Sequence, residues 1–446
     1  MSGEKNNKME SMPIGRLVAS MSLPMMVSLL IQSLYNIVDS IFVARLSEDS
    51  LTAASLAFPI QMLMIAVGVG TAVGVNATLS RTLGKKDFPE AGRIAQTGIL
   101  LSVISSLIFM VIGLVAAKNI ADSFTQESEI ARQCGTYLWI CMVFCLGNLA
   151  CMVFQRLLQA AGKAFLSMII LISGAITNLI LDPIMIFGLL GCPAMGIAGA
   201  AWATVIGQWI SMFVGIFLNL RYNPDVSMIQ EGFRFSRKRI LDIYRVGFPT
   251  IIMQAMNSMM VTAFNAILLP FSTTAVAFFG IYYKLQNFLF MPLNGLGQAA
   301  IPIVGYNYGA GNKDRIMEAS KVTYISAALI ALVGTMIFQL FGSTLLGLFS
   351  ASGALLQIGI PALRIISVSF VFASVTMITG YIASGMGDGM TNMIASLIRQ
   401  FLPLIPCAWL LAKTGGIDKV WYAIWISELS AVAFALMRTK RLYRKL

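Results

Sequence analysis

The sequence predicts an all-α membrane protein: twelve transmembrane helices in two six-helix lobes, related by a pseudo-twofold axis along the membrane normal. Three observations predict it. The first is composition: the 446 residues are 58% hydrophobic and 11% charged, with a mean hydropathy of +0.81. A soluble domain carries about 25% charged residues, so this chain lacks the charge to cover a water-facing surface. The second is run length, since the apolar residues fall in stretches that reach the roughly 20 residues a membrane helix needs. The third is an internal repeat.

Gly, Pro and charge clusters cut the apolar runs. They predict spans at 14–44, 54–80, 93–117, 131–157, 164–188, 196–220, 240–269, 276–306, 320–347, 356–384, 392–412 and 420–438. The first thirteen residues are polar, and the apolar run after them is too long for the core of a signal peptide. That run is expected to be the first span itself.

The net charge of +12 suggests nucleic acid until the charges are placed on loops. Counting from a cytoplasmic N-terminus, 23 of the 31 Lys and Arg fall on the cytoplasmic side and five on the outer side. Three, Lys284, Arg364 and Arg399, fall well inside spans, and basic residues at span ends are counted with the adjoining loops. Positive residues stay on the cytoplasmic face of a bilayer. The split therefore predicts a multi-pass protein of the plasma membrane with both termini cytoplasmic, and removes any need for a nucleic-acid partner.

The repeat appears as ordered matches at a near-constant offset. Leu23-Pro24 recurs as Phe248-Pro249, Gly84 as Gly309, and Ala161-Gly162-Lys163 as Met386-Gly387-Asp388, all 225 residues apart. Gly196-Ile197 through Trp202-Ala203 recurs as Gly416-Ile417 through Tyr422-Ala423, 220 apart. Each half holds six spans, so both enter the membrane in the same orientation. Such parallel repeats favour alternating access around a central cavity. The expected division is an N-terminal lobe over 1–220, a polar, basic cytoplasmic linker over 221–239 and a C-terminal lobe over 240–446.

Carboxylates inside a membrane are expensive and mark function. Of nineteen Asp and Glu, only Asp39, Asp182 and Glu428 fall well inside spans. Asn178 and Asp182 are four residues apart and share a helix face. Pro183 frees the carbonyl of Leu179, and Thr204 falls at a similar depth. These oxygens suit a hard cation, or a carboxyl that carries a proton. Lys284, Arg364 and Glu428 share that outer depth in the second half and form a candidate polar cluster of structural kind. Arg399 lies nearer the cytoplasm, where it can snorkel.

Other strings carry no chemistry. Six cysteines and no histidine exclude Ser–His and Cys–His catalysis, and Cys141 and Cys145 read as small apolar packing residues. Gly68 to Gly74 approaches a dinucleotide loop but lacks its spacing and a preceding strand; it reads as a helix-packing face. Gly385-Met386-Gly387-Asp388 spells an intramembrane aspartyl protease motif, but Asp388 falls in a turn without a facing carboxylate. No enzyme is expected.

The string Tyr35-Asn36-Ile37-Val38-Asp39 followed by Phe42-Val43-Ala44-Arg45-Leu46 resembles the first-helix signature of the multidrug and toxic compound extrusion (MATE) family. So do Asn178-Leu179-Ile180-Leu181-Asp182-Pro183, Gly196 through Ala201, and Met291-Pro292 through Gly305-Tyr306-Asn307-Tyr308-Gly309-Ala310. The resemblance covers nearly the whole chain and is greatest for the bacterial MepA-like branch. It implies a secondary active exporter that exchanges Na⁺ or H⁺ for bulky apolar, mostly cationic drugs, working as a monomer in the lipid bilayer with no cofactor beyond the coupling ion. It assigns the coupling-cation or proton site to Asp39, Asn178, Asp182 and Thr204, with any metal there being Na⁺. Some relatives use carboxylates in the seventh and tenth spans; here the seventh has Gln254 and Asn257, and the tenth has neither Asp nor Glu. The alternative is a lipid-linked saccharide flippase of the same superfamily. A channel would need a repeated pore loop, which is not visible.

Overall fold

The computed structural model describes residues 8–228, 235–349, 353–444 and 446. Lys5, Lys445 and residues 229–234 of the expected linker lie outside them. The first half comprises α1 (Lys8–Ser11), α2 (Ile14–Ala44), α3 (Glu48–Gly84), α4 (Phe88–Phe124), α5 (Ser128–Val143), α6 (Leu146–Ala160), α7 (Ala164–Phe187) and α8 (Ile197–Tyr222). The second comprises α9 (Arg237–Leu268), α10 (Thr273–Gly309), α11 (Lys313–Gly347), α12 (Gly353–Ser367), α13 (Phe370–Gly385), α14 (Gly389–Gln400), α15 (Leu404–Gly415), α16 (Ile417–Val420) and α17 (Tyr422–Tyr443).

Among the described residues, ten helices are long and apolar enough to cross a membrane, and twelve spans result if each bent pair counts as one. The bent pairs are α5 with α6, at 46°, and α12 with α13, at 49°. These are the fourth and tenth expected spans. Large apolar side chains remain exposed along the outer faces, Val115 at 75% and Leu340 at 74%. Such faces suit lipid, where backbone groups must be satisfied within each helix.

The repeat extends to backbone detail. Helices α3 and α10 begin at 48 and 273 and end at 84 and 309; α4 and α11 begin at 88 and 313; α7 and α14 begin at 164 and 389. Their caps recur with them. Ser47 accepts from the Ser50 amide as Ser272 does from Ala275, and Asp87 accepts from Glu90 as Asn312 does from Arg315. Each satisfies an amide left orphaned at a helix start. Left-handed residues also pair: Lys86 with Gly311, Gly162 with Gly387, and Gly196 with Gly416.

The lobes close on one another at the end where α1, the α3–α4 turn and the α10–α11 turn gather. Helix α2 lies along α10, and α3 along α9. A Cβ on Gly84 would stand 1.9 Å from the Tyr306 carbonyl oxygen, and one on Gly309 would stand 1.9 Å from that of Arg81. The two contacts exchange under the 225-residue offset, as a pseudo-twofold axis requires. Only glycine permits so close an approach of two backbones. Gly70 and Gly74 extend this face, meeting the carbonyls of Gly247 and Ile243. The glycine string that imitates a nucleotide loop is therefore lobe-packing surface. Polar contacts seal the same end: Arg239 to Glu90 at 2.6 Å, Lys86 to Glu10 at 3.3 Å, and Arg315 to the Met9 and Met12 carbonyls at 3.0 and 2.8 Å. Lys8 in α1 has its pKa lowered, first by burial and then by the Lys163 ammonium.

Candidate coupling site and central cavity

Helix α2 carries Asp39 near its far end, five residues before it stops at Ala44. Helix α7 carries Asn178 and Asp182 on one face, and α8 carries Thr204. The three helices pack together and bring these four residues into one site. The Asp39 carboxyl stands within hydrogen-bonding reach of that of Asp182. Asn178 donates to Asp182 Oδ1 at 3.2 Å and lies 3.3 Å from Thr204 Oγ1. Asp182 is fully buried and Asn178 is 4% exposed. Gly207 meets the Gly174 carbonyl across the α7–α8 contact, which draws the two helices close beneath the site.

One oxygen of each carboxylate, Asp39 Oδ1 and Asp182 Oδ2, is buried without a hydrogen-bond donor. Buried polar atoms are nearly always partnered, and two like charges in one buried site repel. A proton shared between the carboxyls, or a small cation between them, meets both demands. Asn178 presents its N–H group to Asp182 and Thr204, so the oxygens that would face a hard ion such as Na⁺ are those of the two carboxylates and the Thr204 hydroxyl. Tyr35 and Tyr137 are near enough to interact electrostatically with both carboxylates. Tyr35 opens the signature string of the first span, one helical turn before Asp39, but was given no role there, and nothing in the sequence marks Tyr137.

The second lobe is built differently. Phe264 occupies the position of Asp39, fully buried and stacked on Phe279 at a 4.5 Å ring separation. Trp421 packs edge-on against Phe278 at 5.1 Å. Pro403, Cys407 and Ile424 stand at the repeat positions of Asn178, Asp182 and Thr204. An aromatic cluster thus stands where the first lobe carries its polar cluster.

The expected cluster of Lys284, Arg364 and Glu428 is not what forms. Among the described residues, the ion pair of Glu428 is with Arg399, at 3.5 Å, while Lys284 and Arg364 are exposed. The cause is helix phase. Arg364 turns to the outer face of α12 and Lys284 to that of α10, whereas Arg399 ends the inward face of α14, which packs on α17. Depth alone grouped the three; facing separates them.

Between the lobes lies a cavity of about 510 Å³. Its lining draws mostly on the second lobe, with Met253, Met260, Phe264, Phe279, Tyr282, Phe290 and Met291, and on Ser33, Asn36 and Val73 from the first. This size and mixture suit a drug-sized ligand, and methionine adapts to varied shapes. Asp39 and Asp182 are not among the lining residues, so the candidate ion site lies outside the cavity. The charged lining residues are Arg156, Arg399 and Glu428. Among the described residues the lining thus carries no acidic surplus that would favour the cationic drugs the resemblance implies. Arg156 counted as a cytoplasmic loop charge in the sequence; it lines the cavity and donates to Gln159 at 2.7 Å and, across the lobes, to Gln298 at 3.0 Å.

Two repeated six-span halves around a cavity, with a buried carboxylate pair to one side, are the architecture of a multi-pass membrane transporter. The MatE family profile matches residues 24–184 and again 249–410, one match per half, and the chain belongs to that family. It is similar to the multidrug export protein MepA of Staphylococcus haemolyticus (strain JCSC1435), 28% identical over 96% of this chain and 93% of that one. MepA of Staphylococcus aureus (strain N315) is 26% identical over 98% and 96%. Among solved structures, an outward-facing MATE multidrug resistance transporter superposes with a TM-score of 0.90 at 25% identity, covering 99% of this chain and 98% of that one. A transporter of the MOP superfamily from Pyrococcus furiosus, described as having a binding pocket of reverse polarity, matches with the same TM-score, identity and coverage.

Proposed function

We propose that this protein is a secondary active exporter that moves bulky, largely apolar molecules out of the cell by alternating access, driven by Na⁺ or H⁺ entering at Asp39, Asn178, Asp182 and Thr204. The observation that carries the reading is the pair of donorless buried oxygens on Asp39 and Asp182, set apart from the cavity. An ion arriving there relieves carboxylate repulsion, and this changes the relative stability of the two lobe arrangements. Coupling requires no more than such a differential affinity. The names of the relatives support drug export over the flippase alternative. In this reading both termini and the 221–239 linker are cytoplasmic, and the closed end described above is the cytoplasmic gate. The protein works as a monomer, since the cavity and the ion site are each formed within one chain.

The test is efflux of ethidium from everted vesicles with sodium and proton gradients imposed separately. One gradient should drive efflux and its collapse should stop it. Efflux that ignores both gradients overturns the reading.

A further inference from the structure

We propose that the central cavity binds amphipathic molecules through an anionic group, a carboxylate, held by Arg156. This rests on the exporter reading in one respect, that the cavity is the substrate site, and it departs from the expectation of organic cations. The argument is charge balance. Arg399 and Glu428 pair at 3.5 Å and cancel. Arg156 has no such partner among the described residues: its bonds run to the amide oxygens of Gln159 and Gln298, and those amides are neutral. The lining is thus left with one positive charge.

A charge placed deep in a membrane protein is costly unless something neutralises it. The Ala161 to Lys163 turn lies beyond α6, and Arg156 sits four residues inside the end of that helix. At about 1.5 Å per residue it is a little over one turn above that end, where it lines the cavity. Gln298 reaches it from the other lobe, and the Tyr381 hydroxyl beside it donates to Asn294 Oδ1 at 2.9 Å. Arginine offers five N–H donors, so two amide bonds leave donors for a ligand. A guanidinium binds a carboxylate with two parallel hydrogen bonds, and the aromatic and methionine walls above receive the apolar body. A quaternary ammonium in the same place meets Arg156 with its charge unscreened.

The position of Arg156 also gives the ligand a part in the cycle. Its bond to Gln298 joins the two lobes at the closed end. A carboxylate on the remaining N–H groups draws charge from the guanidinium that also holds that bond, so loading and the closed end share one group.

The experiment uses the purified full-length protein in lipid nanodiscs and three pyrene probes of similar shape: pyrenebutyrate, pyrenebutanol and a pyrene-alkyl trimethylammonium. Pyrenebutyrate should bind about tenfold more tightly than the ammonium probe, a difference of about 1.4 kcal/mol. Arg156→Gln should erase that preference, and Arg156→Lys, which keeps the charge but not the fork, should keep only part of it. A purely structural role for Arg156 would weaken all three probes alike and leave their ratio unchanged, which overturns the proposal. So does an ammonium probe that binds as well as pyrenebutyrate to the unaltered protein. Efflux of pyrenebutyrate and of ethidium under the two gradients is measured in parallel. Gradient-driven efflux with reversed probe preference sinks only the anion assignment, whereas efflux of neither dye, or efflux that ignores both gradients, sinks the exporter reading.

Discussion

Glu428 shows what one residue costs inside a membrane. Its side chain is 7% exposed and that of its partner Arg399 is 18% exposed. Removing one member of a buried pair strands the other charge, at about 3 kcal/mol or more. Glu428→Gln should therefore lower the thermal midpoint of the detergent-solubilised protein, and Glu428→Gln with Arg399→Met should recover most of the loss. An unchanged midpoint in the single variant would show that the pair holds no stability. The sequence made Glu428 visible, because a carboxylate in an apolar run is conspicuous. It did not reveal the partner, since Lys284, Arg364 and Arg399 all lie in spans and only helix rotation separates the two that face outward from the one that faces in. Arg156 was misplaced for a related reason: near a helix end, sequence does not distinguish a loop charge from one turned into a cavity. Asn178, Asp182 and Thr204 were legible from spacing and depth, and the family resemblance added Asp39 to them as one group. Their mutual geometry was not.

At the scale of elements, the repeat was the most readable feature, and helix starts in the two halves keep the expected 225-residue spacing. The bends within the fourth and tenth spans were not legible, since no proline marks Phe144 or Val368 and the apolar runs continue through both. The glycines at the closed end were readable only as a packing face; that they hold the two lobes together needs the fold. This gives a prediction. The Gly84 and Gly309 backbones touch carbonyls of the opposite lobe, so a side chain at Gly84 must push the lobes apart there. Gly84→Val should favour the arrangement in which this end is open. A cysteine placed at Ser80, fully buried here, should then react with maleimide about tenfold faster in the Gly84→Val background, corresponding to a population shift of about 1.4 kcal/mol. Equal rates in both backgrounds would show that this contact does not define the gate.

At the scale of the whole molecule, orientation comes first. The charge split predicts that single cysteines in the 221–239 linker are labelled by impermeant maleimide in everted vesicles and not in intact cells; labelling from outside would invert the topology. The deeper question is how two near-identical halves divide the work. Their backbones match in helix starts, caps and left-handed turns, so geometry alone would let both bind ions. Their chemistry does not match. Asp39, Asn178, Asp182 and Thr204 have Phe264, Pro403, Cys407 and Ile424 as counterparts, and the aromatic cluster around Phe264 and Trp421 stands where the first lobe carries its polar cluster. The one membrane carboxylate of the second half, Glu428, aligns with Gln208 and is already paired with Arg399. A carboxylate neutralised by an adjacent guanidinium gains little from a further cation, because the attraction is cancelled locally. Coupling should therefore reside in the first lobe alone. Asp39→Asn and Asp182→Asn should each abolish gradient-driven ethidium efflux while the protein remains folded and inserted, as judged by monodisperse elution and membrane yield. Glu428→Gln should slow efflux or reduce stability yet leave the response to the gradient intact. The opposite pattern, uncoupling by Glu428→Gln with Asp182→Asn still driven, would move the coupling site to the second lobe and leave the donorless oxygens of the first without a role.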